Sequence, residues 1–109
     1  LREPLCGERR VAFCHVRTGT GAEFMARARD WLGDRAEVRE SSALLAAGWF
    51  GPGEAHPRIA ERAGDVALVM RGRYTINDWL PGEKRHLHIG NHGGTSAEEM
   101  YVPLILAEA

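Results

Sequence analysis

Val66-Ala67-Leu68-Val69-Met70 is an unbroken apolar run between Asp65 and Arg71. Successive side chains of a strand point to opposite faces, so a strand with one wet face alternates apolar and polar residues. This run does not alternate, and as a strand it must be covered on both faces. The fold must therefore place material on each side of a sheet.

The rest of the chain offers that material in a regular order. Arg10-Val11-Ala12-Phe13-Cys14-His15-Val16 reads as another buried strand, ended by Thr18-Gly19-Thr20-Gly21. Thr20 and Glu23 fit a capping box, Phe24, Ala28, Trp31 and Leu32 recur at helical spacing, and Gly33 stops the helix. Arg35 to Glu40 is expected to form a short strand. Ser41 or Ser42 then caps a brief helix through Leu44 and Leu45, ended by Gly48. His56-Pro57 opens a further helix with Pro57 at its first position, and Gly64 closes it. After the turn Arg71-Gly72-Arg73, Tyr74-Thr75-Ile76 is expected to be a hairpin partner of the apolar strand. The expected class is α/β, a small β-α-β-α layered arrangement too short for a full doubly wound domain.

Composition narrows the function classes. With 109 residues, 44% hydrophobic and 27% charged, the chain can build one modest core. Fourteen Lys+Arg against 15 Asp+Glu leave a net charge of −1, which gives no electrostatic footprint for nucleic acid or an anionic membrane. No apolar run approaches the roughly 20 residues of a membrane span. Nothing resembles a signal peptide. Cys6 and Cys14 fit neither a zinc ribbon nor a CxxC redox pair and read as free thiols of a cytoplasmic protein. No GxGxxG or GxxxxGK[ST] phosphate loop is present. A start at Leu1-Arg2-Glu3-Pro4, without methionine, is expected of an excerpt from a longer chain.

The chemistry-bearing residues cluster late. Residues 77–94 read as irregular and polar, a length that in a compact domain is often functional. Within it lie His86, His88 and His92, the last between Asn91 and Gly93-Gly94. Glycines flanking a histidine let backbone approach whatever the ring touches. His92 is thus a candidate metal ligand, with His86 or His88 as a further ligand or an outer-shell group. The alternative is a polar loop whose histidines are solvated or bonded to carbonyls. Thr95 and Ser96 neighbour His92 as candidate nucleophiles, but Ser96 before Ala97-Glu98-Glu99 fits a helix N-cap with acids in the first turn better. Trp49, Phe50, Tyr74 and Trp79 are candidate pocket aromatics, although Trp49 and Phe50 fit a plug at the junction between two helices better. Tyr101-Val102-Pro103-Leu104-Ile105-Leu106 reads as a final buried strand.

Asn91-His92-Gly93-Gly94-Thr95-Ser96-Ala97-Glu98-Glu99-Met100-Tyr101-Val102-Pro103-Leu104 closely resembles the HGG-[ST]-x-EEM-x-VPL signature of the alkaline phosphatase superfamily. The nearest branch is similar to the type I phosphodiesterase/nucleotide pyrophosphatase proteins. Ala47-Gly48-Trp49-Phe50-Gly51, His56-Pro57-Arg58 and Arg62-Ala63-Gly64-Asp65-Val66 resemble a small β-α-β-α insertion of that branch. The resemblance is strong from Leu44 to Leu106 and looser before it.

That resemblance implies a cap-like α/β subdomain at 1–76. It implies a metal-ligand loop, helix start and final strand of a phosphohydrolase core at 77–109. The activity implied is hydrolysis of phosphate esters or nucleotide pyrophosphates by two divalent ions, usually zinc, with a threonine or serine nucleophile. The motif histidine is a metal ligand, which falls on His92. The nucleophile, the first metal-binding aspartate and the Asp…Asp-His ligands have no counterpart in this sequence. The resemblance therefore implies the C-terminal part of an enzyme whose partner is the rest of a parent chain. Such a fragment is incomplete alone and holds no metal tightly. The other reading is a stand-alone, non-catalytic α/β domain that binds a ligand or partner.

Overall fold

The computed structural model describes residues 1–85 and 88–108. The apolar run forms a strand, Val66–Met70, with every residue buried. It lies inside a four-stranded antiparallel sheet. In chain order the strands are β1 (Cys6–Gly7), β2 (Val11–Cys14), β3 (Ala36–Glu40) and β4 (Val66–Met70), and their spatial order is β1-β2-β4-β3. Because β2 and β3 are both antiparallel to β4, they are parallel to each other. The helix α1 (Gly21–Leu32) crosses between them, and β4 fills the gap, a split β-α-β unit. The fold is thus mixed α/β, as the alternation predicts, but its ladder is antiparallel throughout.

Register explains how one strand is buried twice. Ala12 and Val38 face Leu68, Cys14 faces Val66 and Ala36 faces Met70, so these residues share one side of the sheet. Met25 and Leu32 of α1 complete that core, with Phe24, Ala28 and Ile76 packed against it. The opposite side carries Val11 and Phe13 of β2 with Ala67 and Val69 of β4. There the short helix α2 (Ser41–Ala46) buries Leu44, and Phe50 tilts against Phe13 with ring centroids 5.9 Å apart. Full burial of a Val, Leu or Met side chain in this set stabilises the fold by about 1.5–3 kcal/mol.

The end of the sheet is tied by a polar knot. Asp65 N–H donates to Cys14 O (2.9 Å), and the Asp65 carboxylate accepts from Val16 N–H (2.7 Å). Ser41 N–H donates to Asp65 O (3.0 Å), while the buried Ser41 hydroxyl donates to Ala63 O (2.7 Å). His15 Nε2 lies 2.9 Å from Glu61 O, a bond across the fold.

Several local expectations are corrected. Thr20 caps α1 through its position alone, because its hydroxyl donates to Arg17 O (2.8 Å) instead of closing a capping box with Glu23. Helix α3 spans Ile59–Ala63 and starts two residues beyond Pro57; His56 Nδ1 accepts from Arg58 N–H (3.1 Å) as the turn tightens. Tyr74–Ile76 forms no strand. β4 already has β2 and β3 as neighbours, so no edge is left for a hairpin, and Ile76 instead donates its N–H to Arg9 O (2.9 Å). Tyr101–Leu106 is no buried strand either: Tyr101, Val102, Leu104, Ile105 and Leu106 are all more than 80% exposed. Among the described residues no sheet edge lies alongside it. No helix among them is long and apolar enough to cross a membrane.

Gly64 has φ +61°, and a Cβ there would meet Cys14 O at 2.7 Å. Gly64→Ala is expected to lower stability by about 2–3 kcal/mol, read as a lower urea midpoint at unchanged slope. Gly19→Ala, also at positive φ but facing open space, should cost only about 1 kcal/mol.

Candidate functional site: a clamped glycine turn

The segment from Gly90 to Met100 is held by one buried ion pair. Arg10, at the foot of β2, is 4% exposed, and burying an unpaired guanidinium is prohibitive. Its Nε lies 3.0 and 3.2 Å from the two Glu99 carboxylate oxygens and its Nη2 2.9 Å from Oε2, a bidentate fork. Arg10 Nη1 donates to the carbonyl of Tyr74. Glu99 also accepts from Ser96 Oγ (2.8 Å) and Gly94 N–H (3.1 Å). Hydrogen bonding to Arg10 chiefly, then to Ser96 and Gly94, holds the Glu99 carboxyl down to about 2, against a smaller opposing effect of burial.

This clamp accounts for both glycines after His92. Gly93 takes φ +85°, and a Cβ at Gly94 would fall 2.2 Å from the Glu99 carboxylate. The α4 turn (Ala97–Met100) has Ser96 at its N-cap, but the Ser96 hydroxyl points to Glu99 rather than to the free amides. Ser96 is therefore a positioning group of the clamp. Glu98 and Glu99, read from sequence as matching first-turn charges, have different duties, since Glu99 turns inward to Arg10.

His92 is exposed and stands outside the clamp. It lines a recess of about 310 Å³ with His88, Asn91, Glu8 and Arg9. The Asn91 side-chain amide reaches His88 O at 3.5 Å. His86 lies outside the described residues. Among the described residues no three His, Cys, Asp or Glu side chains group so as to hold a metal ion. A catalytic zinc needs about three protein ligands. His92 and His88 share a recess with a guanidinium and do not by themselves fit that requirement.

The aromatic candidates separate. Trp49 and Phe50 line an open apolar groove of about 740 Å³, walled also by Val11, Phe13 and Met100 and reaching Gly93 and Thr95. The Arg39 guanidinium stacks 5.6 Å from the Trp49 ring centroid. Phe50 packs on Phe13 of β2 rather than between two helices, and Trp49 and Phe50 each stay about two-fifths exposed. Trp79 belongs elsewhere, in a recess of about 490 Å³ beside Cys6 and Asp78, with Arg85 4.1 Å over its ring. Tyr74 contributes its backbone to Arg10 while its ring is half exposed.

Cys6 and His15 form a second cluster. Cys6 Sγ lies 3.9 Å from His15 Nδ1, but it also faces the carbonyls of Phe13 (3.7 Å) and Arg62 (3.8 Å). Burial first and the Glu3 carboxylate second push the Cys6 thiol up, so it stays protonated near neutral pH. Burial pushes Cys14 up to about 12.

Arg10 is the residue that sequence reasoning passed over. Its signal was an arginine abutting a buried strand, a charge that requires a partner somewhere in the chain. Neither a family model, nor a curated protein, nor a solved structure matches this chain.

The depressed Glu99 carboxyl makes stability depend on acid in a defined window. Its ordinary value is 4.5, so its contribution is complete above that pH and is lost as pH falls toward about 2. Unfolding free energy should drop by up to about 3 kcal/mol across this window in urea titrations, and Glu99→Gln should flatten the drop. At pH 7, Glu99→Gln should itself destabilise by about 3 kcal/mol, because Arg10 stays buried beside a neutral partner.

Proposed function

We propose that this chain is the C-terminal part of a metal-dependent phosphodiesterase or phosphatase acting on phosphate esters or nucleotide pyrophosphates. In this reading residues 1–76 form a cap-like subdomain of an alkaline phosphatase-like fold, and 77–109 carry the last metal ligand. The observation that carries it is the clamp. The bidentate Arg10–Glu99 pair, the Ser96 hydroxyl and two glycines fix the turn after His92, and the imidazole lines a recess beside it. A solvated loop needs none of that order. Beyond the fixed turn, the reading rests on the motif resemblance.

His92 supplies one neutral imidazole ligand, with His88 beside it and His86 near in sequence. The remaining ligands and the nucleophile belong to the rest of a parent chain. Two divalent ions, zinc by preference, would polarise the phosphate and activate the nucleophile. Within this chain, Glu99 and Arg10 orient the ligand turn, and the Trp49–Phe50 groove offers apolar contact beside Thr95. Ser96 has no nucleophilic part, since its hydroxyl is spent on Glu99. Cytoplasmic placement belongs to the same proposal.

The open groove also favours a second reading, a non-catalytic domain that binds an apolar ligand or partner at Trp49 and Phe50. Zinc separates the two. In a longer protein containing this chain, His92→Ala should lower bound zinc and cut turnover of p-nitrophenyl phosphate esters by roughly 100-fold or more. Unchanged metal content and turnover would remove His92 from the site. The 109-residue chain alone should bind zinc no better in calorimetry than an unstructured histidine peptide. Sub-micromolar affinity would instead indicate a local site at His86, His88 and His92.

A further inference from the structure

Three consecutive residues of the β1–β2 turn meet the segment that carries His92. Glu8 packs its stem against Gly93, where an added Cβ would fall 3.1 Å from Glu8 Cγ. Arg10 grips Glu99. Arg9, between them in sequence, lines the His92 recess together with Glu8, His88 and Asn91. The turn itself is fixed: Glu8 N–H donates to Val11 O (2.8 Å), and Arg9 O accepts from Ile76 N–H (2.9 Å).

That placement sets a guanidinium in the same recess as the imidazole read as a metal ligand. Two cationic groups sharing a recess repel, and an anion lying between them turns the repulsion into two attractions. Arginine suits such an anion, because its planar fork offers paired N–H donors to a phosphoryl group. Arg9 already has a partner within the fold, and five donors let a guanidinium keep one while holding an oxyanion. Asn91 adds a carboxamide donor whose contact with His88 O is long, at 3.5 Å. The Glu8 carboxylate lines the same recess and weakens the site by like charge without removing those donors.

The recess also has an outlet. Glu8 and Arg9 line the neighbouring recess of about 490 Å³ that holds Trp79 and Lys84. We propose that Arg9 binds the phosphoryl oxygens of a phosphate ester in the His92 recess, and that the ester substituent runs into the Trp79 recess. The inference rests on the phosphohydrolase reading for the identity of the anion. The oxyanion site itself needs no metal and no residue outside this chain.

Methyl phosphate titrated into the 109-residue chain tests it, at pH 7 and constant ionic strength with a chelator present, read by amide chemical shifts. Saturable shifts should centre on Asn91 and His92, with a dissociation constant of about 1 mM, as two or three charge-assisted hydrogen bonds give. Arg9 joins the backbone ladder through its carbonyl, so Arg9→Gln keeps the turn and should weaken binding about 10-fold or more. Arg9→Lys should restore part of the loss, and Glu8→Gln should tighten binding. Arg17→Gln, at an exposed arginine outside both recesses, should change nothing. Phenyl phosphate should shift the same amides and also the Trp79 indole N–H. With metal excluded, these results are independent of the zinc measurement on His92→Ala, which alone judges the phosphohydrolase reading. Absence of saturable shifts, full affinity in Arg9→Gln or an equal loss in Arg17→Gln overturns the proposal. A Trp79 indole untouched by phenyl phosphate overturns the path of the substituent.

Discussion

A single buried arginine organises the half of the molecule that carries the motif. Arg10 sits where the apolar strand β2 begins, too deep for water to solvate its charge. Only a carboxylate presenting two oxygens in the plane of the guanidinium can offset that burial, and Glu99 is brought from 89 positions away to do it. The closing of that pair drags the preceding backbone with it. Ser96 and Gly94 become hydrogen-bond donors to the same carboxylate, and Gly93 turns through a positive φ so that Gly94 can reach. Apolar residues of equal volume in place of the pair would keep the core filled but would release the turn. The pair sets position as well as free energy.

The sheet was legible where periodicity speaks and obscure where partners decide. The unbroken run Val66–Met70 announces burial on two faces, and the helix over Phe24 to Leu32 follows from spacing and a stop glycine. Strand order is not local information. That β4 enters between β2 and β3, and thereby leaves no edge for Tyr74–Ile76, depends on which pairings bury most surface. The two-residue β1 is too short to show a period at all. For the same reason the apolarity of Tyr101–Leu106 was readable, while its place was not: sequence shows that a segment needs cover, but not from where.

The site divides in the same way. The glycines beside His92 correctly indicated a backbone needing close approach, but the group approached is the Glu99 carboxylate rather than a ligand of the histidine. Trp49 and Phe50 come together with Gly93 and Thr95 in one groove, whereas Trp79 and Tyr74 go elsewhere. The structure presents the His92 imidazole at the edge of a recess with His88 and Asn91, on a turn fixed from within the chain. The structural duty of the EEM triplet is the part these residues establish by themselves.

Amide hydrogen exchange at Gly94 tests this account most directly. Its N–H is buried and bonded to a carboxylate that Arg10 holds in place, although it lies in a segment without helix or strand. At pH 7 the Gly94 amide should be protected at least about 100-fold over the exposed amide of Gly90, and Arg10→Met should abolish that difference. Equal exchange at Gly94 and Gly90 in the unaltered chain would contradict the clamp and, with it, the fixed presentation of His92.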